Sequence, residues 1–412
     1  MTTLRRASGR WVSGDDFWGR EKELDLFLQY LREGASILLI AQRRIGKTSL
    51  MKETMRRLAS EAICVFVDLE GCQSAPDAIA EITAAAHAHR GMLDRIGQWV
   101  GGKVANVAEV NIHVLKLTLR SGLNDGNWRS RADELLDALA SDSKRAVIFL
   151  DEVPILVNRL LKGDDFTITP ERRAHADAFL SWLRTATLRH QGKISFVLTG
   201  SIGLEPIVRQ ARLSATLNHL QPFELGPWTR ETATGALQAL AAEYKLTYDV
   251  GVIDAMLDRL GSAIPHHVQV YFDLVHQACH LRELSTVTYD LAGEIYEQRM
   301  LGARGHAELS HLEERLRAVL GIEQETIAIE LLTEAALTNH LTPAAVREIV
   351  ARYPQPSEAW APRAGTILEI LVHDGYLEQI PSGYRFHSKL QRDWWYRRFG
   401  GNHTPVEQRR QP

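Results

Sequence analysis

The stretch that decides the fold class of this chain is Ala41-Gln42-Arg43-Arg44-Ile45-Gly46-Lys47-Thr48. Apart from its first position, it fits the phosphate-binding loop pattern G-x-x-x-x-G-K-[ST]. In such a loop, backbone N–H groups at the start of a helix point at phosphate oxygens, and the helix dipole favours the anion. The pattern predicts that Lys47 reaches the β- and γ-phosphates of a nucleotide and that the Thr48 hydroxyl ligates Mg²⁺. Ala41 stands where the pattern has glycine, which requires a negative φ at that residue.

The elements around this loop follow the order of a parallel α/β sheet. An unbroken apolar run precedes the loop, as in a strand buried on both faces, and residues with helical spacing follow it. The same alternation continues along the chain and predicts a parallel sheet covered by helices. The predicted helices are residues 21–31, 46–59, 75–96, 131–139 and 172–189, and the predicted strands are residues 36–41, 63–67, 146–150 and 194–198.

One segment interrupts the alternation. Between residues 107 and 120, apolar residues first alternate and then slip in phase, which is typical of a hairpin or a bulged strand. Gly101-Gly102 and Asn124-Asp125-Gly126 flank it as turn signals. We therefore expect a β-hairpin-like insertion in the sheet domain at about residues 101–128.

Helices replace strands after Pro222. Helical patterns at residues 229–243, 250–260 and 265–281 predict a small helical lid domain, with Gly261 as a C-cap and Pro265 at a first helical position. Residues 302–305, which contain two glycines, are interpreted as a linker.

The last part of the chain has the pattern of a winged helix. Helices are predicted at residues 323–337, 343–352 and 362–373, and two short strands at residues 376–380 and 384–386 follow them. The predicted architecture is an α/β core at residues 1–222, a lid at residues 223–301 and a winged helix at residues 302–412.

Two more predicted strands end in polar residues. Asp151 and Glu152 follow a buried strand, and we expect Asp151 to hold Mg²⁺ through water and Glu152 to orient and deprotonate the attacking water. Ser201 follows the next strand, where it could contact the γ-phosphate. Open α/β sheets bind ligands at the carboxyl ends of their strands, so these residues and the loop converge on one edge. The simpler interpretation is two acids that cap a turn and an ordinary glycine turn at Gly200.

In these motifs the chain resembles the STAND-type ATPases, a signal-transduction branch of the AAA+ relatives, and specifically the archaeal-type ATPase family. Phe17-Trp18-Gly19-Arg20-Glu21-Lys22-Glu23-Leu24 resembles the F-x-G-R-E-x-E-L motif beside the adenine, and residues 43–50 are similar to the R-R-x-G-K-T-S-L loop. Leu150-Asp151-Glu152 matches the Walker B motif, and Leu198-Thr199-Gly200-Ser201 matches the Gly-Ser element after the following strand.

The resemblance also implies a nucleotide-operated lock. Gly261 and Pro265 resemble the Gly-x-Pro element of the lid, and His387 stands where a winged-helix histidine contacts the ADP β-phosphate, although Ser388 replaces the usual aspartate. His387 could instead pack near Trp394 and Trp395. The implied nucleotide-binding residues are Gly19, Arg20, Gln42, Arg43, Arg44, Ile45, Gly46, Lys47, Thr48, Ser49, Ser201, Pro265 and His387.

An arginine finger is expected if the protein assembles, because a cation from a second subunit stabilises the transition-state charge. Arg209 and Arg212 are the candidates, and we count Arg212 with Lys47 and Glu152 among the catalytic residues. Both arginines could equally be solvated residues of a helix.

The composition indicates which partners and which compartment to expect. The chain has 412 residues, of which 45% are hydrophobic and 24% charged, and its formal net charge is −3. This charge gives no overall attraction to nucleic acid or membrane. No apolar run reaches the roughly 18 residues of a membrane span. With three cysteines that lack metal spacing and no secretory signal near the start, we expect reduced thiols and a cytoplasmic protein.

Three functions follow from these patterns. The first is a slow Mg-dependent ATPase that acts as a switch, with ATP or ADP as its cofactor, self-assembly in the ATP state and an unidentified effector or signal protein as its partner. The second is a DNA-binding AAA+ protein of the origin-recognition type. Its helix at residues 362–373 is poor in base-reading side chains. Non-specific DNA contact could still come from the basic C-terminal residues Arg385, Lys389, Arg392, Arg397, Arg398, Arg409 and Arg410. The third is a scaffold with a degenerate loop, which only Ala41 supports.

Overall fold

The computed structural model describes residues 4–87, 112–353 and 360–410. The chain packs into two compact units, which are described separately. The sheet unit comprises Glu21–Ala41 and Leu50–Leu225. The helical unit comprises Met1–Arg20, Gln42–Ser49 and Gly226–Pro412, and it therefore contains the phosphate loop. The division into domains at residues 222 and 301 stays a prediction.

A five-stranded parallel sheet forms the centre of the sheet unit. The strands are β1 (Ile37–Ile40), β2 (Ala62–Asp68), β3 (Arg145–Asp151), β4 (Ile194–Thr199) and β5 (Gln221–Glu224). Their order in the sheet is β2-β3-β4-β1-β5. Register pairs Leu38 and Leu150 with Leu198 on either side of β4, so the carboxyl ends of β1, β3 and β4 lie side by side.

Helices connect these strands. They are α1 (Glu21–Arg32), α2 (Lys47–Leu58), α3 (Ala75–His87), α4 (Ile112–Gly122), α5 (Trp128–Ala140), α6 (Val153–Lys162), α7 (Pro170–Arg189) and α8 (Leu204–Gln210). The first four predicted strands and the helices predicted at residues 21–31, 46–59, 131–139 and 172–189 are confirmed. Helices α6 and α8 were not predicted, and residues 88–96 of the predicted third helix lie outside the described residues.

The predicted β-hairpin-like insertion is wrong where the structure describes it, because α4 occupies this part of the chain. Leu115 and Leu119, which are one helical turn apart, are buried. Lys116 and Arg120 repeat at the same spacing and pair with Glu81 of α3, at 2.5 and 3.0 Å. The slip in apolar phase thus belongs to a helical period, and residues 101–111 of the predicted hairpin lie outside the described residues.

Strands also continue beyond Pro222, contrary to expectation. Pro222 itself lies in β5, which is tolerated because β5 is an edge strand of this sheet. In the helical unit, β6 (Thr247–Tyr248) and β7 (Thr286–Val287) form a small parallel pair.

The helical unit contains the lid helices and the winged helix. Its lid helices are α9 (Arg230–Glu243), α10 (Val252–Leu260), α11 (Pro265–Leu281) and α12 (Tyr289–Ile295), and a π-helical turn at Tyr296–Met300 follows them. Next come α13 (Ala303–Leu309), α14 (His311–Thr338), α15 (Pro343–Ala351), α16 (Trp360–His373), β8 (Leu377–Ile380), β9 (Gly383–Phe386) and α17 (Lys389–Phe399). The antiparallel β8-β9 hairpin after three helices is the wing that the sequence predicts.

The expected linker at residues 302–305 is wrong, because α13 begins within it. A Cβ at Gly302 would lie 2.0 Å from the Gln298 carbonyl oxygen, and one at Gly305 would lie 1.5 Å from that of Met300. These glycines therefore permit close packing on the preceding turn. No helix in the described part of the chain is long and apolar enough to cross a bilayer.

Candidate nucleotide-binding site

The phosphate loop follows β1 in the chain and ends where α2 begins at Lys47. Two of its residues have left-handed backbone, Arg44 at φ 68° and Gly46 at φ 104°. A Cβ at Gly46 would meet no atom within 4 Å, so the backbone conformation and not space requires glycine there. Ala41 keeps a negative φ, which meets the condition for alanine at the first position of the motif.

Lys47 is buried in the loop, with 8% of its surface exposed. Its Nζ donates a hydrogen bond to the Gln42 carbonyl oxygen at 3.1 Å. The ammonium group is thus held against the backbone that would surround a phosphate. Ser49 has a different contact: its Oγ accepts from the Val12 backbone N–H at 3.1 Å, so it ties the N-terminal segment to α2.

A cleft of about 580 Å³ of empty space, partly open to solvent, lies beside the loop within the helical unit. Residues 16–18, residues 44–46, and the lid residues Trp228, Pro265 and His266 are among those that line it. Aromatic and apolar walls next to a phosphate loop suit a flat heterocyclic base.

The N-terminal motif shapes one wall of this cleft. Trp18 Nε1 donates to the Thr232 carbonyl oxygen of α9 at 3.3 Å. Gly19 has φ 66°, and a Cβ there would lie 2.2 Å from Thr232 Cγ2, so only glycine lets the segment pack this closely. The motif thereby brings Phe17 and Trp18 to the cleft.

Arg20 joins the loop to the start of the lid. Its side chain is buried, and Nη2 donates to the Ile45 carbonyl oxygen at 3.2 Å and to the Gly226 carbonyl oxygen at 2.6 Å. Two hydrogen bonds from one guanidinium fix the loop backbone relative to the lid. Arg20 therefore positions the loop, a role that the motif alone did not indicate.

In the sheet unit, the structure brings Glu152 and Ser201 together. Glu152 is left-handed at φ 58° and precedes α6. Its Oε2 accepts from Ser201 N at 2.9 Å and from Ser201 Oγ at 2.6 Å. Gly200 makes this possible, since a Cβ there would lie 2.4 Å from Pro154 Cδ. The Ser201 hydroxyl is thus engaged by the candidate base.

Lys52, which was not predicted as a site residue, lies near Asp151 at the end of β3. Its Nζ lies 3.6 Å from the centroid of the Phe66 ring. Burial lowers the pKa of Lys52, and the negative charge of Asp151 opposes that shift. A second lysine soon after the loop lysine is the only sequence signal for it.

Of the other predicted site residues, the two arginine-finger candidates lie on the surface, and His387 lies where the wing contacts the lid. Arg209 and Arg212 are both exposed in the sheet unit, as a residue acting on a second subunit must be. His387 Nε2 lies 3.2 Å from Ser262 Oγ, and burial lowers the pKa of His387. The neighbouring Ser388 donates from Oγ to the Leu260 carbonyl oxygen at 3.1 Å. The end of the wing is therefore attached to the lid.

The loop is also contacted by residues of the C-terminal part of the chain that were not predicted as site residues. A Cβ at Gly375 would lie 2.1 Å from Gln42 Oε1, so the Gln42 side chain packs directly on this glycine before β8. Arg44 Nη2 lies 3.6 Å from Glu308 Oε2 of α13. Burial lowers the pKa of His311 to about 3, and the charges of Arg43 and Arg44 add to that shift. No local motif marks these positions.

Comparisons with known proteins bear on the fold. No family model matches the sequence, and no curated protein matches it. A Walker-type ATPase of Pyrococcus abyssi superimposes with a TM-score of 0.62 at 15% identity, covering 93% of this chain and 97% of that one. The ORC2 protein of Aeropyrum pernix, solved as ADPNP–ADP complexes, has a TM-score of 0.54 at 15% identity, with 92% of each chain covered.

At these identities the likeness establishes the fold and nothing finer. The chain has an α/β core that carries the phosphate loop and is built on a parallel sheet, followed by a helical lid and a winged helix, and it shares this fold with the two solved structures. The fold class predicted from the sequence is thereby confirmed.

Proposed function

We propose that the protein is a Mg-dependent ATPase of low turnover, which binds ATP and ADP and acts as a STAND- or AAA+-type molecular switch. One observation carries the proposal: a phosphate loop with a buried lysine opens beside a cleft with aromatic walls. Trp18 and Trp228 supply an environment for a base, and Gly46 and Lys47 supply one for phosphates.

The chemistry follows from the residue types. Lys47 offsets the charge of the β- and γ-phosphates. A hydroxyl at Thr48 and a carboxylate at Asp151 are oxygen ligands of the kind that Mg²⁺ prefers, and Asp151 acts through water. Glu152 serves as general base, held in place by Ser201, and Arg212 of a neighbouring subunit stabilises the transition state.

The switch role rests on how the helical unit is tied together. The loop, the lid and the winged helix belong to one unit, and Arg20, Gly375 and His387 each join two of these parts. A nucleotide bound at the loop adds contacts with several of them at once, so its exchange changes which arrangement is favoured. In this proposal, the ATP state self-associates and passes its signal to a separate effector.

The rival role in DNA binding receives less support. Arg363, the one base-reading candidate in α16, is buried and donates to the Val350 and Tyr353 carbonyl oxygens. Most basic C-terminal side chains pair with acids of the same chain: Arg385 with Glu378, Lys389 and Arg392 with Asp393, Arg397 with Glu297, Arg398 with Glu313, and Arg409 with Glu330. We propose weak, sequence-indifferent contact at most; a footprint on a defined sequence at physiological salt would favour the rival.

Lys47→Ala tests the nucleotide proposal. We expect the affinity for both ATP and ADP to fall by about a hundredfold or more, because charge-assisted hydrogen bonds to two phosphates are lost. Isothermal titration calorimetry of the full chain measures this, with Lys193→Ala, an exposed lysine before β4, as control. Equal affinities in wild type and Lys47→Ala would overturn the assignment of the loop.

A further inference from the structure

One carboxylate connects the phosphate loop with the lid and with the start of the C-terminal helices. Glu308 Oε2 lies 3.6 Å from Arg44 Nη2 and accepts a hydrogen bond from His266 Nε2 at 3.0 Å. Arg44 belongs to the loop, His266 to α11 and Glu308 to α13. Arg44 and His266 also line the cleft beside the loop, so this contact adjoins the proposed nucleotide site.

Glu308 satisfies the hydrogen-bonding capacity of the Arg44 guanidinium only in part. The distance of 3.6 Å is longer than the 2.7–2.9 Å of a charge-assisted hydrogen bond. Arg44 Nε is buried and makes no hydrogen bond within the described residues. Arg44 also has a left-handed backbone, a conformation that is disfavoured for a residue with a side chain. The guanidinium therefore keeps donor capacity beside the cleft.

Basic side chains surround Glu308. Arg44 faces it from the loop, His266 from α11 and His311 from α14, and Arg43 and Arg315 lie near His311. The hydrogen bond from His266 is the main cause that lowers the pKa of Glu308 to about 2, and the charge of Arg44 adds to that shift. Glu308 is thus ionised at neutral pH, and it occupies a region that would otherwise attract phosphate.

We propose that Glu308 competes with the phosphate chain of the nucleotide for Arg44 and thereby disfavours the triphosphate relative to the diphosphate. The inference rests on the proposed function, since it concerns the same site. ATP brings one more negative charge than ADP near Glu308, so repulsion is greater and Arg44 transfers more fully to phosphate. Loss of the Arg44–Glu308 pair then releases α13, which immediately precedes α14, from the loop. Glu308 is a regulatory residue, not a catalytic one.

Glu308→Gln tests this role, because glutamine has the same shape and the side chain is 38% exposed, so folding is retained. Dissociation constants for ADP and for the slowly hydrolysed analogue ATPγS are measured by calorimetry on the full chain at one ionic strength. We expect Glu308→Gln to tighten ATPγS binding by about tenfold and ADP binding by about threefold or less. In an Arg44→Gln background the same substitution should have a much smaller effect, because only the direct repulsion between Glu308 and phosphate is then left to relieve.

Glu313→Gln is the matched control. Glu313 lies near the start of α14 and pairs with Arg398 at 3.3 Å, so its loss of charge should leave both dissociation constants unchanged. Equal changes for ADP and ATPγS in Glu308→Gln, no change in either, or an effect that is equally large without Arg44 would each overturn the inference. A wild-type chain that binds neither nucleotide would overturn the proposed function as well, and this result is distinct from the other three.

Discussion

Glu152 has an unusual backbone conformation for a residue with a side chain. Its φ of 58° lies in the left-handed region, where a non-glycine residue is disfavoured by about 1–2 kcal/mol. Two hydrogen bonds from Ser201 hold its carboxylate in one orientation. Strain of this kind persists where the surrounding structure over-determines the residue, and it is frequent at functional sites. The geometry therefore agrees with a role for Glu152 that depends on orientation.

Glu152→Gln tests that role directly. Glutamine keeps the shape and can still accept from Ser201, but it cannot take a proton from water. We expect ATP binding to be retained and single-turnover hydrolysis to slow by about a hundredfold or more, as loss of a general base does.

Glu134→Gln provides the control, because Glu134 is a surface residue of α5 paired with Arg131. A Glu152→Gln protein that hydrolyses ATP at the wild-type rate would show that another residue positions the water.

At the scale of elements, a helix or strand could be predicted from the sequence where the interactions that define it are local. The loop, α2 and the buried strands carry their signals within a few residues, and all are found as predicted. The sequence of α4 contains a helical period, in Leu115 and Leu119 and in Lys116 and Arg120, but the alternating apolar residues at positions 110–114 fit a strand equally well. The pairing of Lys116 and Arg120 with Glu81 of α3 lies outside that local pattern. Likewise β5 has only four residues, and pairing with β1 defines it.

The residues of the candidate site also differ in whether the local sequence predicts them. Lys47, Asp151 and Glu152 are recognisable because the chemistry fixes residue type and spacing along the chain. Glu308 and Gly375 reach the loop from far along the sequence, so their contacts exist only after the helical unit has folded. The orienting role of Ser201 toward Glu152 also depends on the close approach of Gly200 to Pro154.

Gly19 offers a test of how the N-terminal segment packs on the lid. Gly19→Ala introduces a Cβ at positive φ, 2.2 Å from Thr232 Cγ2. We expect a loss of about 1–3 kcal/mol in the free energy of unfolding, measured by urea titration, together with weaker nucleotide binding. Adding Thr232→Ser removes the clashing methyl group and should restore part of the stability, but not the part due to φ.

Gly71→Ala is the matched control for this substitution, because a Cβ there would meet no atom within 4 Å and φ is not positive. A Gly19→Ala protein as stable as Gly71→Ala would contradict the packing of the segment against α9.

At the scale of the helical unit, one junction between the lid and the winged helix lies around Gly261 and Ser388. A Cβ at Gly261 would lie 2.6 Å from the Lys389 nitrogen, and Ser388 donates to Leu260. His387 lies at the same junction, beside Ser262 and 3.8 Å from Glu378. The junction joins the end of α10 to the start of α17, so a change at His387 affects both parts of the unit.

His387→Ala distinguishes a nucleotide lock from a packing residue. If His387 donates to the β-phosphate of ADP, its removal loses about 1.5–3 kcal/mol, because the acceptor is charged. We then expect ADP to dissociate about ten- to a hundredfold faster and the self-associated form to increase without added signal.

Ser262→Ala is the matched variant, since it removes the hydroxyl beside His387 and keeps the imidazole. In this variant, ADP release should stay near the wild-type rate. Stopped-flow ADP release, the melting temperature and the sedimentation profile are measured together. Lower thermal stability with unchanged ADP release in His387→Ala would make His387 a packing residue at the junction. Equal acceleration in both variants would mean that the hydrogen bond to the lid, and not a bond to phosphate, keeps the closed arrangement.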